Sequence, residues 1–265
     1  MPRGYRVTHR ALSRDELQAT AAADRAFVDR LFATDLVLEG VDLTESRFER
    51  CLFQGPTLQS LDFSESEFVD CRFEPLRLAA CKFAKAKFRG SSFFDADKRK
   101  GSTFAFCDLQ AAEFAKCNLA TSVFDRCDLY NLSAADSSFR GAIFRQSTFS
   151  KAISRKTVMT RASFDTCNLS FADLSGTSLE RCEFKSCKFS EASFIDADLS
   201  DATLLACSLD RVEWERAKLR GADLRGSNLS GLNLAVVSDY AGLRVSESEQ
   251  SELLGNLGVE VDSGS

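Results

Sequence analysis

Histidine is nearly absent: the chain of 265 residues has one, His9. That removes the usual general base and the usual imidazole ligand. A Ser-His-Asp or Cys-His nucleophile would have only His9 to draw on. No G-x-x-x-x-G-K-[ST] loop occurs, and no G-x-G-x-x-G follows a strand, so neither phosphate-cradling motif is available. No apolar run approaches the roughly 18 residues of a membrane span. The basic N-terminus "MPRGYRVTHR" lacks the apolar stretch of a secretory signal, although its arginines and its lack of acids are shared with transit peptides. There are ten cysteines and no C-x-x-C pair, so a structural zinc site is not expected. These absences lead to the expectation of a non-enzyme with no cofactor, no metal and no membrane segment.

What is present is a five-residue period. From Leu38 to Phe93 every fifth residue is Leu or Phe: Leu38, Leu43, Phe48, Phe53, Leu58, Phe63, Phe68, Phe73, Leu78, Phe83, Phe88 and Phe93. The frame slips by one, resumes at Phe104 and runs to Leu234, with Ala134, Ser154, Met159 and Trp214 as exceptions. Two positions before a centre there is usually Ala, Cys, Ser, Thr or Val, as in "ADLSG" from Ala172 and "ADLRG" from Ala222. The period matches neither a helix nor a flat strand and calls for a repeat architecture. In an extended segment residues i−2 and i share a face, so the small and the large residue can both point inward. A turn after each centre then redirects the chain by one side of a polygon. Patterning leaves the number of sides open.

The register also accounts for the cysteines. Cys51, Cys71, Cys81, Cys107, Cys117, Cys127, Cys167, Cys182, Cys187 and Cys207 all fall on the small inward position. They read as small buried hydrophobes. Cys167, Cys187 and Cys207 should stack in one column, at a coil spacing of about 4.8 Å, too wide for an unstrained bridge. Many reduced thiols point to the cytoplasm. Asp108, Asp128 and Asp173 are the Asp of "A/C-D-L" and read as turn and solvent residues rather than catalytic carboxylates.

Several segments break the pattern. Ser13 and Glu16 form a capping box that opens a helix with an apolar stripe of Leu17, Ala21, Phe27, Val28, Leu31 and Phe32; it reads as a cap on the first coil. Between Phe94 and Ser102, "DADKRKG" cannot fill a side, so a loop carrying Asp95, Asp97, Lys98, Arg99 and Lys100 should bulge out and is a candidate partner-binding site. Around "ISRKTVMTR" the centres weaken to Ser154 and Met159, beside the basic residues Arg145, Lys151, Arg155, Lys156 and Arg161; this reads as a solvated basic patch within the rod. After Leu234 a second capping box, Ser246 to Glu249, predicts a short helix with Leu253, Leu254 and Leu257 apolar. Gly258 stops it, Val259 to Val261 follow as a short strand, and Asp262 to Ser265 fray.

Tandem "A-[DN]-L-x-x" resembles the pentapeptide-repeat family over Leu36 to Leu234. The resemblance implies an all-β solenoid, a right-handed quadrilateral β-helix with short terminal helices. With thirty-nine centres it implies about ten coils, or about 45–50 Å of rod at strand spacing. The expected organisation is an arm and capping helix at 1–35, the β-helix at 36–234 with a loop near 94–102, and a C-terminal cap and dimerisation helix at 235–265.

The ending "E-x-x-x-L-L-x-x-L-G-[IV]-x-V" is similar to the topoisomerase-protecting branch of that family, the Qnr- and MfpA-like proteins of quinolone resistance and gyrase-poison self-immunity. That resemblance implies a homodimer through Leu253, Leu254, Leu257 and Val259. It further implies a DNA-like rod that engages DNA gyrase or topoisomerase IV, and loops projecting from the rod that matter for protection. An isolated two-turn helix with an apolar face also needs a partner surface on physical grounds. Residues 191–262 hold fourteen acids and six bases, net −8, against +3 for the remainder. Glu191, Asp196, Asp198, Asp201, Asp210, Glu213 and Glu215 are therefore the candidate acidic, DNA-mimicking surface. The expected partners are the topoisomerase and a second copy, with no direct nucleic-acid binding because no continuous basic stripe exists. The competing expectation is a protein-binding scaffold of the same family with no topoisomerase role.

Overall fold

The computed structural model describes residues 9–154 and 157–260. Four consecutive five-residue units pair with the next four through four separate parallel ladders. Phe48 lies opposite Phe68, Phe53 opposite Phe73 and Leu58 opposite Leu78, and Asp62 bridges Lys82. The fifth unit returns to the first ladder, which fixes four sides. The molecule is a right-handed quadrilateral β-helix of about 10 turns. In chain order, face one carries a nine-stranded parallel sheet, from Ala26–Val28 to Thr203–Leu205. Face two begins as a sheet through Leu52–Phe53 and Arg72–Phe73 and continues as single bridges. Face three carries a five-stranded sheet with Thr57–Gln59 at one edge, and face four is built from bridges alone, such as Lys82 with Asp108 and Asp108 with Asp128.

The corners explain the polar positions of the repeat. Two residues after a centre the backbone enters the left-handed region: φ is 52° at Glu45, 49° at Arg50, 55° at Ser60 and 61° at Glu65. The carbonyl of the centre accepts the N–H three residues on, as from Ala112 to Leu109 at 3.0 Å, closing a tight turn. Asp108, Asp128 and Asp173 serve these turns: each Oδ1 accepts an N–H two residues later, from Gln110, Tyr130 and Ser175, at 3.0 Å.

The interior is a set of ring stacks. On face one, Phe48 and Phe68, Phe68 and Phe88, and Phe88 and Phe114 lie with centroids 4.7 Å apart and near-parallel planes. Rings on adjacent faces meet edge-on, as Phe48 meets Phe53 at 5.7 Å. Coil spacing thus sets an offset-stacked geometry that aromatic pairs favour. The small inward residues form polar rungs between coils. The Cys71 thiol donates to the Phe48 carbonyl at 3.3 Å, the Ser91 hydroxyl donates to the Phe68 carbonyl at 3.2 Å, and the same hydroxyl accepts the Cys71 N–H at 3.1 Å. All ten cysteines are free and buried. Burial pushes the Cys117 and Cys182 thiols up to about 12, so they stay protonated and unreactive at neutral pH.

The ends depart from expectation. Helix α1, Arg14–Ala22, carries the Ser13–Glu16 capping box and buries Leu17 and Ala21 against the first coil. The expected apolar stripe does not continue along it: Ala26–Val28 and Arg30–Phe32 are strands, with Phe27 opposite Phe48 and Phe32 opposite Phe53. The first coil therefore starts at Ala26, ten residues before the expected boundary at 36, and Arg10–Ala11 already pairs parallel with Arg30–Leu31 on face two. Phe27 and Phe32 are already centres, one residue out of frame. At the other end, Lys218 bridges Asp239 and Asp223 bridges Arg244, so the coils run past Leu234 into the segment assigned to the cap. The second expected capping box does not form. The Ser246 hydroxyl instead accepts the Gly226 N–H at 2.7 Å, extending the last coil. Helix α2 is Gln250–Asn256. It ends at Gly258, φ 79°, with the Val259 N–H on the Leu254 carbonyl at 2.9 Å, a Schellman closure. Val259 and Glu260 are not in a strand. Val261, the expected fray at Asp262 to Ser265 and the basic arm before His9 lie outside the described residues.

Candidate functional site: two projecting hairpins and the C-terminal end

Coil spacing is twenty residues along most of the rod, and its two large exceptions locate the protrusions. Phe104 stacks on Leu78, twenty-six residues earlier, so six residues leave the rod at the corner between faces two and three. Phe94–Asp95 pairs antiparallel with Lys100–Gly101, and the Ser102 N–H returns to the Phe93 carbonyl at 2.9 Å. This is the loop expected from "DADKRKG". Asp95 is not a contact residue. It is 6 % exposed, accepts the N–H groups of Asp97 and Lys98 at 2.9 and 3.1 Å, and pairs with Lys98 Nζ at 3.4 Å. The Lys98 N–H is the main cause holding its carboxyl below the usual range. Asp97, Lys98, Arg99 and Lys100 are exposed.

The second exception corrects the sequence reading. Phe164 pairs with Ala134, thirty residues earlier, so ten residues are extruded between faces four and one. Ser150–Ser154 and Thr157–Thr160 form an antiparallel hairpin, closed where the Arg161 N–H meets the Phe149 carbonyl at 3.0 Å. Ser154 and Met159 are not weak centres of the rod but residues of this hairpin. Ile153, Val158 and Met159 are 55, 61 and 47 % exposed. Lys151 anchors the base, with Nζ 2.9 Å from Gln110 Oε1 and 5.8 Å from the Tyr130 ring centroid. Of the basic residues noted there, Arg155 and Lys156 lie outside the described residues. Ten is a multiple of five, so the insertion leaves the five-residue frame unbroken. The signal in the sequence is the loss of a large Leu or Phe centre at both Ser154 and Met159.

At the C-terminal end, Leu253 packs into the protein's own core at 7 % exposure and is not a free interface residue. Leu254, Leu257 and Val259 are exposed, as are Val236 and Tyr240 of the last turn. Asn256 ties the helix down through the Leu232 carbonyl at 3.2 Å.

The seven candidate acids do not form one stripe. Each five-residue step turns the chain onto a new face, so acids clustered in sequence scatter over faces two, three and four. Four of them are paired with bases one coil away: Glu191 with Arg211 at 2.8 Å, Asp196 with Arg216 at 2.6 Å, Asp198 with Lys218 at 3.0 Å and Asp201 with Arg181 at 3.8 Å. Asp210 accepts hydroxyl hydrogen bonds from Ser208 and Ser190. Glu213 and Glu215, on face three, make no ion pair among the described residues. Exposed pairs of this kind add little to stability; their main effect is to cancel charge.

The repeat and the fold match those of a pentapeptide-repeat β-helix. The family model for the pentapeptide repeat region matches residues 157–234. A trypsin-treated variant of QnrB1, a plasmid-mediated fluoroquinolone resistance protein, is similar at 26 % identity over 83 % of this chain and 98 % of that one, with a TM-score of 0.65. Full-length QnrB1 matches at 22 % identity over 88 and 99 % of the two chains, again with a TM-score of 0.65. A second trypsin-treated variant matches at 22 % over 82 and 99 %, with a TM-score of 0.67. Comparison with curated protein sequences finds no match. No helix among the described residues is long and apolar enough to cross a membrane.

Proposed function

We propose that this protein protects a type II topoisomerase, DNA gyrase or topoisomerase IV, from a poison by binding the enzyme rather than by chemistry. The observation that carries the proposal is the similarity to QnrB1 along nearly the whole of that chain at 26 % identity. Two hairpins on the rod supply contact elements beyond its flat faces. The smaller offers Asp97, Lys98, Arg99 and Lys100, and the larger offers Ile153, Val158 and Met159. A two-fold dimer through Leu254, Leu257 and Val259, with Leu253 supporting them from within, would double the rod and bring the acid-rich ends together at its centre. DNA mimicry then rests on Glu213, Glu215 and Asp210, the acids without a basic partner, more than on the four paired ones.

The test is gyrase supercoiling and drug-induced cleavage with a fluoroquinolone, with and without the protein. Restored supercoiling at protein concentrations well below that of the drug is the expected result. Leu254→Asp should convert the dimer to monomer by light scattering and reduce protection. No effect on gyrase or topoisomerase IV across several poison classes refutes the proposal. The pairing of four of the seven acids favours a second reading, a protein-binding scaffold that does not compete with DNA; it would be supported if protection failed while a protein partner bound the rod.

A further inference from the structure

A sheet edge on face three is open, and it lies far from the C-terminal end. The strand Thr57–Gln59 is the last of the five on face three. Its upper side is fully engaged: the Arg77 N–H meets the Pro56 carbonyl at 3.0 Å and the Ser60 N–H meets the Ala79 carbonyl at 2.8 Å. Around the next corner the Lys82 N–H reaches the Leu61 carbonyl and the Phe63 N–H reaches the Lys82 carbonyl, both at 2.8 Å. The matching groups one coil lower have no such partners. Among the described residues, the N–H and C=O of Thr57, Gln59 and Asp62 find no backbone acceptor or donor in the segment beneath.

That segment, Leu36 to Val41, turns instead of pairing. The Leu36 N–H goes to the Ala33 carbonyl and the Val41 N–H to the Leu38 carbonyl, at 3.1 and 3.2 Å. The sequence carries one residue more than the repeat between Phe32 and Leu38 here. A groove of about 630 Å3 opens between Leu36–Val41 and Thr57–Asp62. Its walls include Val37, 46 % exposed, and the partly buried Leu36, Val41 and Leu58. Its charged lining residues are Glu39 and Asp62, with no cation. Asp62 is paired with Lys82 at 3.2 Å, while Glu39 makes no ion pair among the described residues.

We infer that this groove binds an extended polypeptide segment of a partner protein, one that alternates apolar and basic side chains, as an added parallel strand on Thr57–Gln59. The partner's backbone fills the open donors and acceptors, the mode by which exposed sheet edges recruit strands. Its apolar side chains lie against Val37 and Leu58, and a Lys or Arg meets Glu39. The inference stands independently of the topoisomerase reading, since it uses neither hairpin nor the dimer end.

The probe is the capped peptide Lys-Val-Lys-Val-Lys, with Glu-Val-Glu-Val-Glu as the charge control, added to the full chain. Amide hydrogen exchange at Thr57, Gln59 and Asp62 is read against Ala79 and Lys82. In the free protein the first three amides should exchange fast and the last two slowly, and the basic peptide should slow the first three. Gln59→Pro removes only an outward N–H from an edge strand, where proline is tolerated, and should weaken binding about tenfold, the size of one lost hydrogen bond, with unchanged circular dichroism. Glu39→Lys should weaken it similarly without touching the ladder. The inference is overturned if those three amides are already protected in the free monomer, if their protection without peptide rises with protein concentration, which would assign the edge to a second copy, or if both variants bind the peptide as the parent does.

Discussion

The repeat makes a claim about volume that one position tests. At every other face-one centre through Leu204 the residue is Phe or Leu, yet Ala134 stands in that register opposite Phe114 and Phe164. The coil is not left hollow, because the inward position two before, normally Ala, Cys or Ser, is Leu132. Both are buried, at 2 and 4 % exposure. Large and small have exchanged places within one side. Leu132→Ala alone removes a buried aliphatic chain with nothing to refill the space and should cost about 2–5 kcal/mol. Ala134→Phe alone forces a ring against Leu132 and should cost about 1–3 kcal/mol. The double variant restores the ordinary repeat, conserves volume approximately, and should lie within about 1.5 kcal/mol of the parent. The coupling between the two sites is then at least about 1.5 kcal/mol, within the range for residues in contact. Equilibrium urea unfolding followed by circular dichroism measures all four proteins. Additive losses in the double variant would show that the two inward positions are not interchangeable and would refute the packing argument.

Three further outcomes follow from single contacts. Gly101 ends the smaller hairpin, and a Cβ there would sit 2.5 Å from both the Ala120 carbonyl oxygen and the Ser122 nitrogen. Gly101→Ala should therefore dislodge the hairpin base, seen as loss of amide protection at Lys100 and Ser102 and a destabilisation of about 1–3 kcal/mol; an unchanged exchange pattern would contradict it. Asp223 is 6 % exposed between Arg225 at 2.8 Å and Arg244 at 3.6 Å, and the Arg225 hydrogen bond chiefly lowers its pKa. Its contribution is complete above the unfolded value of about 3.9 and fades as pH falls through the lower folded value. Asp223→Asn should cost about 1–2 kcal/mol at pH 7 and the difference from the parent should shrink in acid; a constant difference would exclude the carboxylate as its source. The ten buried thiols should resist a thiol reagent at pH 8 in the folded rod and react in urea, and fast labelling of any before unfolding would contradict their inward register.

Much of the rod was legible because its period is set by side-chain size, which sequence displays directly. Phe48, Phe68 and Phe88 had to share a column once the turn count was four, and the register of every cysteine followed. What escaped was governed by insertion length and by local competition for hydrogen bonds. Phe27 and Phe32 satisfied a helical stripe as well as a five-residue frame, and strand pairing with Phe48 and Phe53 decided between them. Ser246 had the spacing of a capping box, yet a free Gly226 N–H one coil below took its hydroxyl. The smaller hairpin announced itself because six residues break a five-residue frame; the larger stayed hidden because ten do not. The acids between Glu191 and Glu215 formed a visible cluster along the chain, but the fold wraps that cluster around the rod and sets a base beside four of them.

Both hairpins leave the rod at a corner and return with the ladders on either side undisturbed: Ser92 still bridges Asn118, Phe104 pairs with Leu78, and Ala134 pairs with Phe164 across the gap. One insertion is a multiple of the repeat and the other is not, so tolerance belongs to the corner rather than to the arithmetic of the sequence. Such a scaffold behaves like a pegboard. The stacked core supplies a rigid, evenly spaced frame, while pegs of any length can be added, shortened or exchanged at the edges without renegotiating the interior. Recognition can then diverge quickly while the architecture that displays it stays fixed.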